Sequence, residues 1–321
     1  MAKVLLTGST GFVGAAVLAT LKDLPEFQVV ATIRKARAEI DSNTIVVGDI
    51  DGNTDFSAAL TDTDIVIHCA ARAHIMHDGV ADPMAEYRRV NVIGTVNLAR
   101  QAARYGVKRF IFISSIKVNG ESTTNKPKFN AFDMPAPLDP YGQSKAEAEQ
   151  ALLELSRETS MEVVIIRPTL VYGPAVKANF ASLFGIVARG IPLPFACICN
   201  NKRSLVSITN LVDLIVTCID HPKAANQIFL VSDDHDVSTS VMVREMATAL
   251  GKLTLQIPVP VWCYTLAGKL FSKSDIVDRL TGSLQVDITH TKETLDWIPK
   301  ETMQEGFKKT AVAFLQSKSS R

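Results

Sequence analysis

A chain of 321 residues with 47% hydrophobic and 21% charged side chains carries enough apolar material for one large domain or two ordinary ones, which excludes a disordered or fibrous protein. Its 34 basic and 33 acidic residues leave a net charge of +1, so no overall field steers nucleic acid or an anionic membrane, and neither is expected as a partner. No apolar run reaches the ~20 residues that span a bilayer. The first strand pattern begins at residue 3 with no room for a leader before it, so a cytoplasmic protein is expected.

The chain opens on Val4 to Thr7, an apolar run of strand length, and passes through Gly8, Gly11 and Gly14 into Phe12 to Leu21, apolar at helical spacing. This reads as strand, tight turn, helix. Gly8 permits the turn, Gly11 lets backbone approach a pyrophosphate, and Gly14 lets the helix pack close to the strand, with phosphates on the helix N-terminus. A dinucleotide is the expected guest, held at Gly8, Gly11, Phe12 and Gly14. Phe27 to Ile33 forms a second strand whose end would meet the adenosine ribose. It offers Thr32, Arg34 and Lys35, with no acidic residue before Glu39. Basic residues there neutralise a 2'-phosphate, so NADP(H) is favoured over NAD(H).

Thr44 to Val47 is a third strand ending in Gly48-Asp49-Ile50, followed by a short helix at Phe56 to Leu60. Ile65 to His68 is a fourth, ending in Cys69-Ala70-Ala71-Arg72. Asp49 and Ile50 fall where the adenine would lie, and Ala70 and Ala71 are small enough for backbone to lie against a cofactor. His68 reads as a core histidine, and His74 and His77 as part of a surface loop. The five cysteines read as reduced core residues, and Cys197 and Cys199 find no further ligands to complete a metal site.

Asp82 to Tyr105 carries apolar residues at three- and four-residue steps and predicts one long helix ended by Gly106. Lys108 to Ser115 is the fifth strand. The proline-rich loop from Ile116 to Asp139 exceeds usual connection lengths and is expected to shape a pocket. Pro140 then leads a helix through Glu158 that puts Tyr141 and Lys145 on one face. Val163 to Arg167 is a sixth strand closed by Pro168. Beyond Gly173 a helix runs to Arg189, a helix spans Asn210 to Asp220, and a strand at Gln227 to Val231 returns to the sheet. Alternating strands and helices predict an α/β fold, a Rossmann-type doubly wound parallel sheet, with ligands at the carboxyl ends of its strands. Residues 1–172 and 202–231 are assigned to this domain, and 173–201 with 232–321 to a smaller, interwoven one.

The Gly8/Gly11/Gly14 turn, Asp49-Ile50, the Ala70-Ala71 pair, Asn91-Val-Ile-Gly94-Thr, Ser115, Tyr141-x-x-x-Lys145 and Arg167-Pro168 together resemble the extended short-chain dehydrogenase/reductases of the nucleotide-sugar epimerase and dehydratase type, over essentially the whole chain. The resemblance implies a UDP-sugar substrate and a catalytic Ser115, Tyr141 and Lys145. Tyr141 would exchange a proton with a sugar oxygen, Ser115 would hydrogen-bond that oxygen, and Lys145 would hold the nicotinamide ribose. A unit charge ~4 Å from the phenol at a dielectric of ~20 is worth about 4 kcal/mol, so Lys145 is expected to lower Tyr141 by roughly three pKa units. Asn179, Arg203 and Arg279 fall where such enzymes hold the nucleotide diphosphate, in the C-terminal domain that would bind the nucleotide sugar. Lys117, two residues after Ser115, is expected to aim its ammonium at the substrate or the pocket rim. A homodimer through the helices at Asp82 and Tyr141 is a further implication.

Dehydratases of this type place an acidic pair where this chain has Ile116 and Lys117, so 4,6-dehydration is not expected. The string Ser114-Ser115-Ile-Lys-Val-Asn119-Gly120 resembles most the subgroup that reduces a UDP-4-keto-6-deoxy-N-acetylhexosamine to a UDP-6-deoxy sugar. An NADP(H)-dependent 4-ketoreductase is therefore the expected activity. A UDP-glucose or UDP-N-acetylglucosamine 4-epimerase with tightly bound NAD is the alternative, and a non-catalytic dinucleotide sensor is a third reading.

Overall fold

The computed structural model describes residues 1–36, 41–73, 82–176 and 178–319. Seven parallel strands form the main sheet: β1 (Ala2–Thr7), β2 (Phe27–Ile33), β3 (Thr44–Val46), β4 (Ile65–His68), β5 (Arg109–Ile113), β6 (Glu162–Pro168) and, far along the chain, β9 (Gln227–Val231). Their spatial order is β3-β2-β1-β4-β5-β6-β9, so the chain winds outward from β1 in one direction and returns to continue from β4 in the other. The carboxyl ends of β1 and β4 flank the crevice this reversal creates, where ligands of open α/β sheets bind.

Both faces of the sheet are covered, which is why its strands are continuously apolar rather than alternating. All five residues of β5 are buried. On one face α1 (Phe12–Lys22) and α7 (Ile208–Asp220) pack over Val17, Leu21, Leu211, Leu214 and Ile215. On the other, α2 (Ser57–Leu60), α4 (Thr95–Arg104) and α5 (Pro140–Glu158) pack over Phe56, Leu98, Ala102, Ala148 and Leu152. A second sheet of three strands, β7 (Leu170–Tyr172), β8 (Arg203–Ser207) and β10 (Asp236–Val237), has its own apolar core with α6 (Ala178–Ala188), α8 (Thr239–Ala249) and α12 (Met303–Ser319) around Tyr172, Phe184, Met246 and Phe307. Helices α9 (Val261–Leu270), α10 (Ser274–Thr281) and α11 (Thr289–Leu295) complete the chain. Among the described residues no helix is long and apolar enough to cross a membrane.

The expected single helix from Asp82 to Tyr105 is corrected. It consists of α3 (Pro83–Tyr87), a π-helical segment at residues 88–94, and α4. The wider turn places Asn91 inward, where its Nδ2 donates to Arg72 O (3.0 Å) and to Ser144 Oγ (2.9 Å) and its Oδ1 accepts from Arg72 N (2.8 Å). It also brings Gly94 against Ile50, where a Cβ would lie 2.7 Å from the Ile50 side chain. The π-segment thus ties the loop after β4, the loop after β3 and α5 to one another, a use typical of π-bulges near functional sites.

Candidate active site

The glycine turn after β1 has the geometry its spacing predicts. Gly8 lies at φ +71°, and a Cβ there would sit 2.6 Å from Ala70 N. A Cβ on Gly14 would sit 2.2 Å from Gly8 O, so α1 approaches β1 only because both positions lack side chains. A Cβ on Gly11 would meet nothing nearer than Gly8 O at 3.2 Å. Gly11 caps α1 without a side-chain bond, and the helix has no acidic residue in its first turn. Its leading N–H groups, beginning at Phe12, therefore form a cradle for an anion. Thr7 Oγ1 accepts from Ala70 N (3.3 Å) and bonds His68 Nδ1 (2.7 Å), while His68 Nε2 bonds Thr95 Oγ1 (2.9 Å). Burial lowers His68 to about 3, so it is a neutral core residue that ties β4 to β1 and α4, as its sequence context predicts. Ala71 continues the same loop, half-buried beside Arg72.

At the far end of this crevice Arg34 and Asp49 face each other at 3.8 Å, both well exposed, with Lys35 exposed beside them and Ile50 buried behind. Glu39 lies outside the described residues, as do His74 and His77.

Past β5, Ser115 is extended (φ −158°, ψ 148°) and its Oγ accepts from Lys117 N at 3.3 Å, capping a short 3-10 turn at Ile116–Val118. Helix α5 begins at Pro140 because Asp139 caps it, accepting from Gly142 N at 2.7 Å. Gly142 packs on the 3-10 turn so tightly that a Cβ would lie 2.9 Å from Lys117 O. One turn further on, Lys145 donates to Ile113 O at 2.8 Å and stands 4.3 Å from the centre of the Phe112 ring. These contacts hold the Tyr141/Lys145 face of α5 against the strand end that carries Ser115.

The electrostatics differ from the expectation. Burial lowers Lys145 to about 8, with Cys69 and Glu149 acting in the opposite direction. Tyr141, whose ring meets Tyr87 edge-on at 6.1 Å, is pushed up by burial and then by Asp139 and Tyr87. The predicted lowering of Tyr141 by Lys145 is therefore corrected. The phenol is half-buried and its charged neighbour is a carboxylate, while the Lys145 ammonium is turned onto the Ile113 carbonyl. In this form Tyr141 is a proton donor.

Lys145 also gives a test in the pH dependence of stability. Between pH 8 and 10.5 the unfolded chain keeps the lysine proton that the folded chain releases, so stability rises with pH across that window, by up to about 1.4 kcal/mol per pH unit. Lys145→Met is expected to lose this slope. Urea unfolding of both proteins at several pH values in the window checks it, and parallel profiles would contradict the buried ammonium.

Lys117 is paired with Asp139 and, at 3.1 Å, with Glu121. Glu121 in turn lies 3.8 Å from Arg279. Arg203 donates to Arg279 O at 2.8 Å and is lowered by burial and by the Arg279 charge. Arg203 on β8 and Arg279 on α10 thus lie close enough for their charges to interact, an arrangement that suits a diphosphate. Asn179 belongs to α6, and its side chain lies outside what is described.

Sequence reasoning missed the groups beneath the site. Glu149 and Arg167 form a buried bidentate pair (Nε 3.0 and 3.1 Å, Nη2 2.5 Å), and Ser114 Oγ donates to the same carboxylate. Arg167 Nη1 also donates to Asn119 Oδ1 at 2.9 Å, and Asn119 Nδ2 donates to Asn130 O at 2.9 Å. It missed Asp139 as a charge beside Tyr141 as well, although Asp before Pro at a helix start is a readable capping signal.

Comparison with known proteins agrees with this architecture. The NAD dependent epimerase/dehydratase family matches residues 4–232. A UDP-glucose 4-epimerase of Vibrio cholerae is 64% identical over 314 residues, 98% of this chain and 96% of that protein. An N-acetyl-alpha-D-glucosaminyl-diphospho-ditrans,octacis-undecaprenol 4-epimerase of Escherichia coli O157:H7 is 28% identical over 87% of this chain and 81% of its own length. The crystal structure of UDP-glucuronic acid 4-epimerase from Bacillus cereus in complex with NAD shares the fold, with a TM-score of 0.76 at 21% identity, covering 98% of this chain and 99% of that one. The expected 4-ketoreductase is corrected by the first of these relatives, since a protein so similar along nearly its whole length is a 4-epimerase. Within the string at Ser114–Gly120, Asn119 accepts from the buried Arg167. With its glycine turn, its doubly wound sheet and a family match across more than half its length, the chain belongs to the NAD dependent epimerase/dehydratase family.

Proposed function

We propose that the protein inverts the configuration at C4 of a UDP-sugar, with UDP-glucose and UDP-N-acetylglucosamine as the candidate substrates and NAD(H) as the resident coenzyme. The observation that carries this reading is the 64% identity to a UDP-glucose 4-epimerase over 98% of the chain. The residues fit a dinucleotide: Gly8, Gly11, Phe12 and Gly14 would hold its pyrophosphate, Ala70 and Ala71 would lie along it, and Arg34, Lys35, Asp49 and Ile50 would border its adenosine. Bound NAD would supply hydride exchange at C4.

Ser115 would donate to the C4 oxygen and Tyr141 would move the proton on and off it. The raised phenol suits the return step, in which a carbonyl oxygen must be protonated. Removing the proton needs the phenolate, which burial and Asp139 oppose. Lys117 offsets part of this by neutralising Asp139, so Lys117 acts here as a positioning residue rather than as a substrate ligand. Arg203 and Arg279, with Asn179, would take the diphosphate. NAD(H) is preferred to NADP(H) because epimerisation consumes no reducing power, and because Arg34, the residue that pointed to a 2'-phosphate, has Asp49 opposite it.

The test is to incubate the purified protein with UDP-glucose and with UDP-N-acetylglucosamine, without added coenzyme, and to separate the products. The 4-epimers are expected. Turnover of 4-keto-6-deoxy derivatives only, and only with NADPH, would overturn the proposal.

A further inference from the structure

From Lys252 to Lys273 the chain holds three lysines and no Asp or Glu. The structure turns this stretch outward. Trp262, Leu266 and Leu270 fall on one stripe of α9 and are 66%, 61% and 76% exposed, with Phe271 beyond the helix end and Ile276 on α10 exposed beside them. The inward contact of α9 is small: Gly268 is buried, and a Cβ on it would lie 2.8 Å from the Val277 side chain. The segment leading into α9 is fixed by backbone bonds, Leu193 N to Leu255 O (3.0 Å) and Ile257 N to Leu193 O (2.8 Å). The outward face is therefore mounted on the second lobe rather than a loose loop. Lys252, Lys269 and Lys273 are exposed, and none forms an ion pair among the described residues. A patch of this size and composition on a folded surface marks an interaction site.

We propose that this face docks on an anionic lipid bilayer, with α9 lying in the headgroup region. A bilayer satisfies both halves of the patch at once: the apolar stripe enters the acyl boundary, the lysines meet lipid phosphates, and an indole sits at the interface between them. A second copy of the chain would cover the apolar stripe, but the stretch from Lys252 to Lys273 holds no Asp or Glu and would bring the lysines no anionic partner. The net charge of +1 does not oppose this, since the attraction is local and falls off within about 10 Å of the surface. The acidic residues of this helix pair, Asp275 and Asp278, both lie on α10 beyond Lys273.

The experiment is flotation of the full chain with vesicles of equal parts phosphatidylcholine and phosphatidylglycerol, followed through Trp262 emission. The other tryptophan, Trp297, is 4% exposed and bonded to Asp213, so a blue shift on adding vesicles reports Trp262. Wild type is expected to float and to shift. Lys269→Glu with Lys273→Glu should weaken binding about five-fold for each lysine lost, and Leu266→Ser with Leu270→Ser should abolish the shift, both with thermal melting unchanged. Failure of wild type to float, flotation that ignores both double variants, or a Trp262 shift produced by concentrating the protein without lipid would each overturn the proposal, the last in favour of self-association.

Discussion

Tyr141→Phe is expected to lower kcat by ~10² to 10⁴, the range general acid–base groups contribute, while coenzyme affinity stays close to wild type. The reason lies in where the phenol stands. Its ring is held by the Asp139-capped start of α5 and by Tyr87, contacts that phenylalanine keeps, so the substitution removes a proton and its oxygen without moving the helix. The same placement predicts the form of the pH profile. With the phenol pushed up by burial and Asp139, the phenolate needed for proton removal becomes more populated as pH rises, so kcat should climb on the alkaline side in wild type and lose that climb in the variant. Steady-state kinetics across pH, with separate titration of coenzyme, reads both. Unchanged turnover would remove Tyr141 from the chemistry.

Arg167→Met should be the most destabilising of the single substitutions considered, by about 3–5 kcal/mol, because it leaves the Glu149 carboxylate buried with only Ser114 as its side-chain donor. Both residues are 3% exposed or less on their side chains, so solvent does not replace the lost guanidinium. The double variant Glu149→Leu, Arg167→Met should recover much of the loss, since a buried pair repays little beyond its own desolvation. Chemical denaturation of the three proteins checks this. A single variant as stable as wild type would show that water reaches the carboxylate. The pair also joins β6, α5 and the residue before Ser115, so a fall in kcat for the single variant that the double variant does not restore would separate positioning from stability.

Much of the fold was legible in the sequence because it rests on local pattern. Buried parallel strands are apolar throughout, and Gly8 and Gly14 are each required by a contact a side chain would break. Tyr141 and Lys145 were legible for the same reason, being one turn apart on a helix with a clear start. What was not legible came from distant chain. The π-segment at residues 88–94 carries the same three- and four-residue apolar steps as an α-helix, and only Arg72, Ser144 and Ile50 explain the wider turn. The rise of the Tyr141 phenol comes first from its burial in the folded chain and then from Asp139 and Tyr87, and Arg167 is buried against Glu149 and Asn119. The reaction was misread because reductase and epimerase use the same catalytic groups, so the spacing of those groups holds no information about which of the two is performed.

Inversion at C4 of a UDP-sugar is tested most directly with UDP-glucose deuterated at C4, incubated with the purified protein and no added coenzyme. Proton NMR of the products should show UDP-galactose with the deuterium still at C4 and no exchange with solvent. Loss of the label to solvent, or no epimer at all until NADPH and a 4-keto sugar are supplied, would contradict the account.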